Sequence, residues 1–145
     1  MSKSNAWETA LLNLVFNNTD AANIGDATGL QGSSTAGSLY VSLHTSDPGE
    51  AGSPSTNECA YTSYARVGVA RSGAGWTVSG NAVTNAALIQ FPQCTGGSET
   101  ATHFGIGTAS SGGTLLYKGA LSASLAISSG IQPQFGATTL SGSED

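Results

Sequence analysis

The sequence predicts a mainly β fold, an antiparallel sandwich or jelly roll carrying one N-terminal α-helix. Three observations lead there. A helical hydrophobic period occurs only near the N-terminus, apolar residues alternate with a period of two beyond Gly37, and Gly/Ser/Asn turn clusters recur at roughly 8–12-residue spacing. Parallel α/β folds are disfavoured because helical segments do not recur between the strands. At 145 residues the chain is expected to form one domain spanning 1–145.

The helix is expected over about 5–17. Asn5 is placed as N-cap with Glu8 in a capping box, and Trp7, Leu11, Leu14 and Val15 fall on one face, broadened by Leu12 and Phe16. Each such residue contributes roughly 1.5–3 kcal/mol when fully buried. From about 17 to 37 the composition turns to Asn, Asp, Ala, Thr, Gly and Ser, with Ile24 and Leu30 the large apolar residues. So little local apolar burial repays ordering poorly, and the segment reads as a bridging loop or arm.

The β region is expected over about 38–140. Leu39, Val41 and Leu43 alternate with Tyr40, Ser42 and His44, and Ala65, Val67 and Val69 with Tyr64, Arg66 and Gly68, the pattern of half-buried strands. Trp76–Val78 and Ala82–Thr84 flank Ser79-Gly80-Asn81, a hairpin signal. Further strands are expected at 88–91, 103–107, 114–119, 122–127 and 135–140. The clusters Thr95-Gly96-Gly97-Ser98 and Ser110-Ser111-Gly112-Gly113 separate some of them.

Charge is scarce. Only 9% of the residues are Asp, Glu, Lys or Arg, against roughly 25% in ordinary soluble domains, and the net charge is -5. So neutral a surface is expected where other molecules cover it. Four fixed cations, Lys3, Arg66, Arg71 and Lys118, cannot make a basic footprint, so nucleic acid is not expected as a partner. Arg66 and Arg71 bracket a strand and either pair with acids across an interface or face solvent, the latter being the expected case. No apolar run is long enough to cross a bilayer, no membrane partner is expected, and Glu8 and Asn13 interrupt any signal-like apolar region, which points to folding in a cytoplasm.

The densest polar constellation is His44-Thr45-Ser46-Asp47-Pro48-Gly49-Glu50. A base, hydroxyls and carboxylates within seven residues invite a catalytic reading. However, triads converge from distant positions onto a shaped pocket, whereas Asp-Pro-Gly by itself builds a turn. The turn reading outweighs catalysis, and no catalytic residue is assigned. His44, His103, Cys59 and Cys94 have no local zinc spacing, and Asp20, Asp26, Asp47 and Glu50 lack the alternating acidic loop of a calcium site, so neither metal nor cofactor is expected. Cys59 and Cys94 suit buried thiols better than a disulfide. Gly73-Ala74-Gly75 and Gly105-Ile106-Gly107 lack the context of phosphate loops and read as strand bends or turns, and Asn17-Asn18-Thr19 matches a glycosylation acceptor only formally.

The block Leu39-Tyr40-Val41-Ser42-Leu43-His44-Thr45-Ser46-Asp47-Pro48-Gly49-Glu50, with Tyr64-Ala65-Arg66-Val67 and His103-Phe104-Gly105-Ile106-Gly107, resembles small virion proteins of tailed bacteriophages. These carry two kinds of label, head decoration (cement) protein and tail-fibre-like protein. The resemblance runs from the N-terminal helix to about Tyr117. It implies a jelly-roll-like fold on the outside of a phage particle, a structural role and no catalytic residues. The expectation is a capsid cement protein on the outer surface of the head, bridging subunits of the major capsid protein. The alternative is a tail-fibre or receptor-binding component, which the lack of a shaft-forming repeat disfavours. A homo-oligomer, dimer or trimer, is expected, with interface candidates Trp7, Leu11, Ile24, Leu30, Tyr61 and Tyr64.

Overall fold

The computed structural model describes residues 2–144, of which 38% lie in strands and 9% in helix, with one helix near the N-terminus and antiparallel sheets. The expected fold class holds at that level. The chain divides into two compact units, one from Met1–Gly37, Ala70–Leu88 and Gly136–Asp145, the other from Ser38–Val69 and Ile89–Phe135.

The first unit contains α1 (Asn5–Asn17), β3 (Trp76–Ser79), β4 (Ala82–Asn85) and β9 (Ser141–Ser143), the three strands forming one antiparallel sheet in the order β3-β4-β9. The cap sits one residue earlier than expected. Ser4 is the N-cap, in extended conformation, and its hydroxyl accepts from the Trp7 N–H at 3.4 Å, so Asn5 is already helical. The buried stripe also turns by one position, to Glu8, Leu12 and Phe16, because the Phe16 ring meets Trp76 edge-on with centroids 4.9 Å apart. Trp7, Leu11, Leu14 and Val15 are half-buried. The β3–β4 hairpin closes through Gly80-Asn81 with Gly80 at φ +59°, the left-handed first position typical of a type II′ turn.

Two buried polar residues organise this unit. Asn85, fully buried, donates to the carbonyls of Ala87 and Gly136 and accepts from the Leu140 N–H, all within 2.9 Å, tying the C-terminal stretch to β4. Arg71 does not face solvent. Its guanidinium donates to the carbonyls of Leu14 and Val15 at 2.8 Å and of Ala36 at 3.1 Å, and to Ser33 Oγ. The last turn of α1 has no basic residue of its own, and Arg71 supplies the cation and donors that helix carbonyls favour.

The second unit holds a four-stranded sheet in the order β2-β1-β6-β7: β2 (Val67–Ala70), β1 (Ser38–His44), β6 (Ser98–Gly107) and β7 (Leu115–Ser128). A short antiparallel pair, β5 (Ile89–Gln90) with β8 (Gln134–Phe135), lies beside it in sequence. β1 and β6 pair antiparallel with His44 directly opposite His103. The segments expected as two strands, 114–119 and 122–127, form one long strand whose register against β6 shifts between Ala101 and His103; Ala101 faces Leu125 and His103 faces Ala120. The four residues 121–124 therefore oppose Thr102 alone, a large irregular bulge where sequence reasoning placed a break. The expected strand over 135–140 does not form: only Phe135 of it lies in a strand, β8, and residues 136–140 turn the chain toward β9.

The core of this unit combines Leu39, Val41, Leu43, Ala101, Ile106 and Ile127 with a chain of rings: Tyr61 on Tyr64, Tyr64 stacked on Phe91, and Phe91 and Phe104 both edge-on to Phe135. Among the described residues no helix is long and apolar enough to cross a membrane.

Candidate functional site

β1 is a central strand of its sheet, so its last four residues, Val41 to His44, are all buried instead of alternating. Ser42 and His44 therefore project from one face into the interior, 1% and 0% exposed. Ser42 Oγ stands 2.8 Å from His44 Nε2, and His44 Nδ1 lies 2.8 Å from the Thr56 carbonyl. Since a carbonyl only accepts, Nδ1 carries the proton and Nε2 accepts from the Ser42 hydroxyl. Burial holds the imidazole pKa below its ordinary 6.5, outweighing the opposite pulls of Thr56 and Glu58; Arg66 and His103 lower it further.

Such a pair has the contacts of an activated nucleophile without its access. Gly105 of β6, paired with Ser42 across the ladder, lies directly beside it. A Cβ there would stand 2.7 Å from both His44 Nε2 and Ser42 Oγ and 2.9 Å from Leu115 Cδ1. A side chain at 105 would collide with the pair, and with Ser42 and His44 1% and 0% exposed the Ser42 hydroxyl is closed to a substrate. The pair therefore serves to fix the loop at Thr56 against β1.

The rest of the His44–Glu50 constellation is a turn, as expected. Asp47 Oδ1 accepts from the Gly49 N–H at 2.8 Å and Gly49 takes φ +77°. Lys118 of β7 lies 3.1 Å from carboxylate oxygens of both Asp47 and Glu50. The Gly49 N–H bond, seconded by Lys118, lowers the Asp47 pKa. Gly49, Glu50, Gly52 and Leu115 to Lys118 line an open depression of about 210 Å³ at this place.

Arg66, expected in solvent, is instead the hub of a buried network. Its guanidinium makes a two-pronged bond to Glu58 at 2.7 and 2.8 Å, and donates to Ser55 Oγ and to the carbonyls of Ala109 and Gly112. Tyr64 donates its hydroxyl proton to Glu58 and accepts from the Leu43 N–H, and burial raises its pKa strongly. The 53–58 and 109–113 loops are thereby tied to one cation. Glu99 grips a third segment, accepting from the N–H groups of Ala60 and Tyr61 at 2.8 Å.

The two thiols are buried and unpaired. Burial, reinforced by Glu99, pushes the Cys59 thiol up to about 12. Cys94 Sγ lies 3.2 Å from the Gly96 carbonyl. His44 and His103 face each other across the β1–β6 ladder, but among the described residues no three His, Cys, Asp or Glu side chains gather as a metal site would need.

The interface candidates fall into two groups. Tyr61 is 5% exposed with its hydroxyl donating to the Pro92 carbonyl, and Tyr64 is held by Glu58, so both side chains are taken up inside the second unit. Trp7 and Leu11 are half-buried, and Ile24 and Leu30, at 39% and 43% exposure, stand out in solvent. Sequence reasoning missed Ser42, Asn85, Gly105 and Glu58 as organising residues. The signal for Ser42 was present, since i and i+2 on a strand share a face and Ser42 lies two residues before His44.

A chain this poor in charge, whose polar networks are turned inward to hold loops, belongs to the structural proteins of bacteriophage virions. Residues 2–143 match the family model described as podophage GP4 fiber I protein gp80, and the chain belongs to that family. No curated protein matches it.

Proposed function

We propose that the chain is a non-enzymatic building block of the fibre apparatus of a podophage virion. The observation that carries this reading is the fibre-family match over residues 2–143. Internal geometry agrees with it. Ser42 and His44, the pair with the contacts of a nucleophile and its base, are buried beside Gly105 of β6, and the exposed polar turns are tied down by Arg66, Lys118 and Glu99. Rigid loops on a neutral surface suit a part that presents surface to other molecules.

A second reading, the capsid cement protein expected from the sequence, is favoured by one observation: the chain builds compact units and carries no repeat that would make a shaft. Its partner would be the major capsid protein. Gold-conjugated antibodies against the Ser110–Gly113 loop separate the two on purified particles. Label at the tail supports the fibre reading, and label spread over the head supports cement. In the cement case, particles lacking the chain also lose resistance to osmotic shock.

A further inference from the structure

Residues 18–33 form a loop far more firmly held than its composition requires. Its neck is a two-bond bridge, Ala21 N–H to the Leu30 carbonyl at 2.8 Å and Leu30 N–H to the Ala21 carbonyl at 2.9 Å. Below the neck, the Asn18 side chain both donates to and accepts from the Ser33 backbone, and Asp20 Oδ1 accepts from the Gly32 N–H. Above it, Asp26 Oδ1 gathers the N–H groups of Thr28 and Gly29 and the Thr28 hydroxyl. Arg71 holds the far end at Ser33 and Ala36. Yet residues 22–28 are all exposed, and within the loop only Ala21 is buried. So much ordering gains almost no apolar burial for the chain itself. It leaves Ile24 on the tip and Leu30 at the neck, 39% and 43% exposed.

We propose that this loop is a pre-organised docking finger, with Ile24 its anchor, that inserts into an apolar socket with a basic rim on a different virion protein. The inference rests on the virion reading above. Charge decides against a second copy of this chain as the occupant. The loop carries Asp20 and Asp26 and no cation. All four Lys and Arg side chains of the chain are already engaged: Lys3 with Glu144, Arg66 with Glu58, Lys118 with Asp47 and Glu50, and Arg71 with helix and loop carbonyls. A net charge of -5 adds repulsion between copies, whereas a basic rim would meet Asp20 and Asp26. Pre-ordering removes the entropy that a floppy arm would lose on docking.

The test uses particles lacking the chain, reconstituted with purified full-length protein at graded NaCl and assayed by quantitative mass spectrometry. Ile24→Asp, at a side chain 39% exposed, is expected to leave the thermal midpoint of the free protein unchanged and to lower the copies bound per particle by at least about tenfold. Ile24→Val is expected to restore most of the binding. The double variant Asp20→Asn, Asp26→Asn keeps the acceptor oxygens, and is expected to bind less well at low salt and to lose the salt dependence of the wild type. Wild-type uptake by Ile24→Asp overturns the finger and leaves the virion reading intact. Failure of the wild-type protein to join particles at all removes the virion reading instead. Self-association of the free protein that Ile24→Asp abolishes would make a second copy the occupant and also overturn the proposal.

Discussion

Gly105 lies against the Ser42–His44 hydrogen bond so closely that a single methyl group at 105 would stand 2.7 Å from both partners. Gly105→Ala is therefore expected to overpack the sheet and lower unfolding free energy by about 1–3 kcal/mol. Urea denaturation followed by tryptophan fluorescence measures it. Unchanged stability would mean that the β1–β6 interior yields more easily than its geometry implies.

Acid acts on the same pair. The His44 pKa is depressed in the fold, first by burial, from an ordinary 6.5. Above about pH 6.5 the imidazole is neutral folded or unfolded and costs nothing; as pH falls below that, the unfolded chain takes up a proton that the fold resists, and stability is lost down to the depressed value. Denaturation midpoints should therefore fall between pH 7.5 and pH 5, and His44→Gln should flatten that part of the profile. An equally steep profile in the variant would assign the acid sensitivity to other groups.

The two ion networks of the second unit differ in depth, and so should their removal. Arg66 is 4% exposed at its side chain and bound to Glu58 and two loop carbonyls, so Arg66→Ala strands a mostly buried carboxylate and is expected to cost about 3 kcal/mol. Lys118→Ala removes contacts to Asp47 and Glu50, whose side chains are 52% and 94% exposed, and is expected to leave the melting temperature unchanged while loosening amide protection over Pro48–Gly52. Calorimetry and hydrogen exchange check the two in parallel.

Thiol chemistry reports on the core around Tyr61. With Cys59 and Cys94 buried and Cys59 pushed up to about 12, the native protein is expected to resist iodoacetamide at pH 8 and to take up two equivalents once unfolded. Rapid labelling of the folded protein would contradict the packing of β6 against the Cys59–Tyr61 segment.

How much of this was legible in the sequence follows from the range of the interactions. The helix over 5–17, the Gly80-Asn81 hairpin and the Asp47-Pro48-Gly49 turn depend on neighbours a few residues apart, and their residues announce them. The bulge at 121–124 depends on Thr102, and the burial of both faces of β1 depends on its central place in the sheet; neither is encoded locally. Arg71 was misjudged for the same reason, whereas Arg66 had an opposite charge, Glu58, only eight residues away. Arg71 is separated by 56 residues from the Val15 carbonyl that it caps, and by 35 from Ala36. A guanidinium that satisfies backbone carbonyls leaves no complementary charge pattern to find. At the docking loop, Ile24 and Leu30 stood out because nothing apolar accompanies them, while the side-chain rungs from Asn18, Asp20 and Asp26 that stiffen it became evident only in three dimensions.

Cryo-electron microscopy of the intact podophage particle tests the central claim most directly. The account predicts density for this chain at symmetry-related positions of the fibre apparatus, with the 18–33 loop seated against a neighbouring virion protein. Density confined to the head lattice would replace the fibre with the cement reading, and a particle containing no copy of the chain would contradict the account altogether.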